Sequence, residues 1–424
     1  MLRQGTAQRR AARALAMAIE QPTLASGPDE PFSRLHTLLR ELFPTLFSHA
    51  QCEIVRGRAM LLSLPGAGDA QPLVFLSHLD VAPIRLPDRW TFPPFSGALH
   101  DGYVYGRGAA DMKGHLIALL TAAESLLESG VHPRSDIYFA FSCDEEIRGD
   151  SMQRLRALLQ ARGVSPAFVL DEGGAVTELP TLCEKRTALI GVSEKGRMCF
   201  TLTADGERST ETLLRAAERL LRLRFTPRIC PATGMMLSAL ADEMHGATRF
   251  CALHPRALQR PLLRRLDRTV YGRSLTRTQM SVSALRGDAL RGERAAISFQ
   301  ASILPGDEAR ALLERIRRVI GDDRVLVTVN VMDEPSVISP AAGPAWDALA
   351  TAIQVHFPGV KTVPYMLNGS SDARRMEALC PFVYRFSPFI LPPEEMARMH
   401  GVDERLSVEN LLRGVDFFRQ MLMA

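Results

Sequence analysis

The residues in this sequence that can do chemistry stand where apolar runs stop. His78 and Asp80 follow Leu73-Val74-Phe75-Leu76. Glu145 and Glu146 follow the run Ile137 to Phe141, and the neighbours Asp171 and Glu172 follow Ala167 to Leu170. Asp111 lies inside the glycine-rich stretch Gly106 to Gly114, and His400 lies far downstream. Two histidines and several carboxylates suit zinc or a similar divalent ion. A carboxylate can bridge two ions, and Asp111 at a tight corner is a candidate. Two ions about 3.5–4 Å apart activate a water and polarise a carbonyl. An adjacent Glu-Glu pair can divide the labour, one binding metal and the other handling protons. A single histidine at a strand end, or an isolated Asp-Glu-Glu turn, is usually only solvated surface. Their co-occurrence at successive strand ends is what points to a site. A glycine-rich loop before a helix can also cradle phosphate. Here Lys113 is not followed by Ser or Thr and no GxxxxGK pattern fits, which argues against it.

These residues need a scaffold, and the hydrophobic pattern supplies one. Strands are expected over 71–77, 136–142 and 167–170, as short buried runs. Helices are expected over 31–43, 115–129 and 152–162, from apolar positions at helical spacing. Pro31 suits a first turn, and Pro44 stops the first of these helices. Strand alternating with helix predicts an α/β fold, a mixed, mostly parallel sheet flanked by helices. In such sheets function gathers beyond the carboxyl ends of the strands. Near Ile190 the texture changes. Strands over 198–204, 295–304 and 325–331 and helices over 211–224 and 307–320 predict an inserted α+β unit with helices on one face of an antiparallel sheet. Between about 205 and 295 the basic residues are all arginine. Long helices return over 345–357 and 408–423. The domain reading is 1–192 and 336–424 for the catalytic part, with 193–335 inserted.

Composition narrows the class. The chain has 424 residues, enough for two domains, and is 46% hydrophobic and 23% charged, as ordinary globular proteins are. A net charge of +4 is small for that length and argues against a nucleic-acid binder. No apolar run reaches about 18 residues, so no membrane span is expected. Residues 1–20 read as an amphipathic first helix and not as a signal peptide. The seven cysteines are scattered with no CxxC, which suits reduced thiols and a cytoplasmic location.

With these segments in view, the chain resembles the M20 metallopeptidases, which include aminoacylase, acetylornithine deacetylase, glutamate carboxypeptidase and dipeptidases. The matching segments are Ser77-His78-Leu79-Asp80-Val81-Ala82-Pro83, Tyr105 through Gly114, Asp144-Glu145-Glu146-Ile147-Arg148-Gly149, and His400-Gly401-Val402-Asp403-Glu404. Their order and spacing match too. Within that family the likeness is greatest to the carboxypeptidase S branch, which also holds the N-fatty-acyl-amino-acid hydrolases. Its marks are Trp90 through Gly97, Leu170-Asp171-Glu172-Gly173-Gly174, Val192 through Gly196, and Tyr384 through Pro388.

The resemblance implies a zinc-peptidase-like catalytic domain with an inserted lid, through which a homodimer would form. It implies two zinc ions, with cobalt or manganese able to replace them. His78 would bind one ion with Asp80 behind it fixing the imidazole. Asp111 would bridge, and the peptide after it would be cis. Glu146 and His400 would bind the second ion. Asp171 would complete the first set, with Glu172 a rival for that role. Glu145 would be the general base. Ser371-Asp372-Ala373-Arg374 matches a family segment, and Arg374 would orient a substrate carboxylate. Arg277-Thr278 matches a segment of the branch.

The lid departs from the pattern. A Gly-His-Ser-Ser motif is expected where Asp205-Gly206-Glu207-Arg208-Ser209-Thr210 stands, and that histidine stabilises the oxyanion in the family. Losing one such donor costs about 10²–10³ in rate. An Asn-x-Ile-Pro motif is missing from Arg286 to Arg294, and Ala301-Ser302 replaces the usual Phe-Arg. Arg208, Arg277, His245 and His254 are the candidates to compensate. The expected function is a two-zinc hydrolase that cleaves short peptides or N-acyl amino acids with a free α-carboxylate. The alternative is a metal-binding relative that has lost hydrolysis and serves as a binding or scaffold protein.

Overall fold

A computed structural model describes residues 2–179, 183–205, 208–255, 257–286 and 295–424. Gly206 and Glu207 of the first lid departure, and residues 287–294 of the second, lie outside the described residues. The chain folds into two compact units. One comprises Met1–Val192, Ser339–Val363 and Ser371–Ala424, the other Ser193–Ile338 and Pro364–Ser370.

In the first unit the central sheet takes the order Gln51–Val55, Ala59–Leu64, Ser135–Ser142, Ala70–His78, Phe168–Asp171, Val383–Arg385 and Cys183–Glu194. Its middle is parallel: Ala70–His78 runs with both Ser135–Ser142 and Phe168–Asp171, which in turn runs with Val383–Arg385. The outer pairs are antiparallel. Parallel strands end on one edge, so His78 lies in register with Ser142 and Asp171 with Arg385. The apolar runs that predict these strands fill the core. Phe75 is fully buried between the rings of Phe139, Phe168 and Phe418, at centroid distances of 6.3, 5.9 and 6.3 Å. Phe418 comes from the C-terminal helix Val408–Met421, whose first turn is capped by the Ser407 hydroxyl accepting from the Asn410 amide.

The helix after the glycine-rich corner, Lys113–Glu128, is buried on nearly every face. It begins two residues earlier than the apolar repeat predicts. Gly114 permits this, because a Cβ there would lie 2.3 Å from the Ala109 carbonyl oxygen. Gly108 has φ +87, a region open to glycine, and the Asp111–Met112 peptide is cis.

The second unit has a four-stranded sheet in the order Gln279–Arg286, Ala296–Ile303, Gly196–Ala204, Val325–Asp333, all antiparallel. The helices Ser209–Leu221 and Ala309–Ile320 cover one face, and their Leu213, Leu220, Leu312 and Ile316 pack on Met198, Phe200, Leu202, Ile297 and Phe299. Four further helices, Pro231–Leu240, Gly246–Leu253, Gln259–Leu266 and Val270–Thr276, lie in the arginine-dense stretch beyond residue 224, where the sequence reading places no helix. No helix among the described residues is long and apolar enough to cross a membrane.

Candidate metal centre

The parallel strands deliver their terminal side chains to one place in the first unit. His78, the last residue of its strand, is buried. Its Nδ1 meets the Asp80 backbone carbonyl at 2.9 Å. Its Nε2 faces Asp111 Oδ1 at 3.1 Å and Glu172 Oε1 at 3.3 Å. The other oxygen of Asp111, Oδ2, stands 2.8 Å from Nε2 of His400. His400 Nε2 is also 3.2 Å from Glu146 Oε1, a buried oxygen with no hydrogen bond of its own. Ligand atoms of His78, Asp111 and Glu146 all lie within 4.8 Å of one another.

Such crowding perturbs every ionisable group. Burial pushes Glu145 well above the ordinary carboxylate range, with His78 opposing and Asp372, Glu172 and Asp111 adding to the shift. Burial and then Asp111 raise Glu172 to about 8, and burial and then Asp171 raise Asp372 to about 7. Burial also acts on Asp111, but hydrogen bonds from His400 and His78 overcome it and hold this carboxylate far below its ordinary value. His400 is pushed up to about 11 by Asp111 and then Glu146. Burial works against charge on His78, yet the carboxylates of Glu172, Asp111 and Asp80 hold its pKa well above normal. Carboxylates converging on two imidazoles, with one buried oxygen left unsatisfied, form a donor set made for cations. All its donors are nitrogen or oxygen, which suits zinc, cobalt or manganese.

The structure places the expected residues as follows. His78, Asp111, Glu146 and His400 come together, with Glu145 beside them. Of the rivals Asp171 and Glu172, it is Glu172 that meets His78. The Asp171 carboxylate instead accepts the Ala373 amide at 2.8 Å, at the start of the helix Ala373–Met376. The strand Phe168–Asp171 ends at Asp171 and Glu172 lies in the bend after it, which leaves Asp171 on the Ala373 amide and Glu172 on His78. Asp80 also differs in detail from the expectation. Its carbonyl, not its carboxylate, holds the imidazole at hydrogen-bond distance; Oδ1 is 3.5 Å from Nδ1. The carboxylate accepts the amides of Glu145 and Glu146 at 3.2 and 3.0 Å, so it positions the Glu-Glu pair. Asp372 belongs to the acidic cluster, and Arg374 is half-buried on the helix that follows it. In the second unit, Arg277 is bonded to Asp267 and Arg208 to Glu211; His245 precedes the helix Gly246–Leu253, and His254 packs on Phe250.

Sequence reasoning overlooked the brace under Glu145. Asp144 accepts the hydroxyl of Ser151, and a Cβ on Gly149 would fall 1.8 Å from Asp144 Oδ2. The signal available was Gly149 itself, closing the turn after the acidic pair.

A parallel-sheet edge that gathers two histidines around one shared carboxylate, with a second acid in reserve, defines a metallohydrolase. Peptidase family M20/M25/M40 matches residues 74–424, and the chain belongs to this family. It is therefore a hydrolase of the metal-dependent M20 type. The N-fatty-acyl-amino acid synthase/hydrolase PM20D1 of Bos taurus is 34% identical over 427 residues, covering 93% of this chain and 84% of that protein. Probable carboxypeptidase S-like 2 of Dictyostelium discoideum is 27% identical, with 97% of this chain and 84% of that protein covered. The fold is that of the M20 family metallo-carboxypeptidase Sso-CP2 from Sulfolobus solfataricus, at TM-score 0.72, 15% identity and coverage of 97% and 98%.

Proposed function

We propose that this chain is a two-metal amidohydrolase that releases an amino acid bearing a free α-carboxylate from N-acyl amino acids or short peptides. The observation that carries the reading is Asp111, whose two oxygens each meet a different histidine. One carboxylate so placed serves two ion positions at once. His78 and Glu172 would hold one ion, His400 and Glu146 the other. Zinc is the proposed ion, with cobalt or manganese able to substitute. A pair of such ions supplies an acidified water and a polarised carbonyl.

The chain's own residues do the rest. Glu145, raised by burial and by neighbouring acids, is tuned to take a proton from water and return it to the departing amine. Asp80 fixes it by holding its backbone amide. Arg374 would receive the substrate carboxylate. The relative at 34% identity bears the name of an N-fatty-acyl-amino acid synthase/hydrolase and that at 27% a carboxypeptidase S-like name, and hydrolysis of either kind of substrate breaks an amide beside a terminal amino acid.

The test is to strip the protein with chelator, reload it with zinc, cobalt or manganese, and assay dipeptides and N-acyl amino acids. Hydrolysis that vanishes on stripping and returns with metal supports the proposal. A fully loaded protein that cleaves none of them would instead favour a binding role.

A further inference from the structure

His400 is a precarious place for a ligand. Its side chain is 58% exposed, its backbone has φ +61, and it belongs to neither helix nor strand. A non-glycine residue persists in that conformation only where its surroundings hold it. The structure shows what does so.

Glu404, four residues on, is completely buried. Its carboxylate accepts four hydrogen bonds, all from the corner that carries Asp111. Oε2 accepts from Arg107 Nη1 at 2.6 Å and the Gly108 amide at 3.1 Å. Oε1 accepts from the amides of Ala110 and Asp111 at 2.9 and 3.0 Å. Arg107, itself buried, turns its Nη2 back to the Gly401 carbonyl at 3.0 Å. The Gly106 amide donates to the Glu404 carbonyl at 2.9 Å. On the other side of the turn, Asp403 accepts from the amide and hydroxyl of Thr91 at 2.7 and 2.8 Å. The turn that bears His400 is thus tied to the corner that bears Asp111 by carboxylate, guanidinium and backbone together.

We propose that the buried Arg107–Glu404 pair is a positioning device that sets the separation of Asp111 and His400, and so the affinity of the ion these two share with Glu146. The inference rests on the two-metal reading above. The device needs a carboxylate. Four donors converge on two oxygens, and a glutamine would aim its own NH₂ at two of them. It acts chiefly on the ion at His400, where it supports both Asp111 and His400; at the other position it reaches only the shared Asp111, and His78 is held independently by the Asp80 carbonyl. Neither residue touches substrate or the reacting atoms; both act through Asp111 and His400.

The test titrates zinc, and cobalt followed by its visible absorption, into metal-free wild type, Glu404→Gln and His400→Ala, with melting curves of each metal-free protein. Wild type should bind two ions. Glu404→Gln should bind one ion about 10–100-fold more weakly, as loss of a ligand's support typically does, and the other, which loses support only at the shared Asp111, distinctly less so. It should then resemble His400→Ala, while its turnover recovers at high metal. A folded Glu404→Gln that binds both ions as wild type does, or weakens both alike, overturns the proposal. If Glu404→Gln does not fold, Arg107→Lys serves: it keeps the charge but cannot reach both Glu404 and Gly401, and the same unequal weakening is expected, with unchanged affinity the overturning result. Wild type that binds no ion would contradict the two-metal reading, a separate failure.

Discussion

Replacing Asp80 with asparagine separates two jobs that a carboxylate beside a ligand histidine can do. Its oxygens accept the amides of Glu145 and Glu146 at 3.2 and 3.0 Å. Hydrogen bonds to a charged group contribute roughly 1.5–3 kcal/mol each. Asparagine keeps one acceptor and turns its NH₂ on the other amide. The loss should be about 1.5–3 kcal/mol, divided between stability and the placement of the Glu-Glu turn. A displacement of about 1 Å at a reacting group costs about 10²-fold in rate, so kcat should fall by about that factor. The ion shared by Glu146 and His400 should weaken with it. The ion at His78 should not, because the imidazole is held by the Asp80 carbonyl, which the substitution leaves in place. Calorimetric metal titration and steady-state hydrolysis of an N-acyl amino acid on one preparation decide the matter. If the His78 ion is lost in step with kcat, the carboxylate works through the imidazole and the reasoning fails.

The neighbours Asp171 and Glu172 should separate in the same assays. Glu172→Gln should weaken binding of the ion at His78, whereas Asp171→Ala should keep both ions and cost roughly 1.5–3 kcal/mol of stability, read as a lower melting temperature, for the hydrogen bond lost from the Ala373 amide. Lys195, buried in the second unit with its ammonium on the Arg277 carbonyl, has its pKa pulled by burial from 10.5 to about 8. Below about pH 8 the folded protein carries a buried charge; between pH 8 and 10.5 it sheds the proton that the unfolded chain still holds. Stability should therefore rise across that window by about 3 kcal/mol, and the same gain is lost as pH falls from 10.5 to 8, with no further change below. Melting curves of wild type from pH 7 to 10 should show that slope relative to Lys195→Met; parallel curves would refute it.

Much of this was legible in the sequence, for physical reasons. The parallel strands are continuous apolar runs bounded by polar residues, so their ends, and hence His78, Glu145 and Glu146, could be located to within a residue or two. The choice between Asp171 and Glu172 was not legible. It depends on the bend that follows the strand end at Asp171, whose pairing partner Arg385 lies far along the chain. Nor was the job of the Asp80 carboxylate, because its partners are backbone amides at another strand end, which no motif encodes. The helices between Pro231 and Thr276 were overlooked because they are short and break up the helical repeat. The fixing of His400 depends on a carboxylate whose four donors lie on the corner before Asp111, near in space and distant in sequence.

The most direct test of the central claim is the Glu145→Gln variant, assayed for hydrolysis with bound metal counted on the same sample. Two ions per chain are expected in variant and wild type alike, with a fall in kcat of about 10²–10⁴ in the variant. Turnover that survives the substitution at full metal occupancy would contradict the claim.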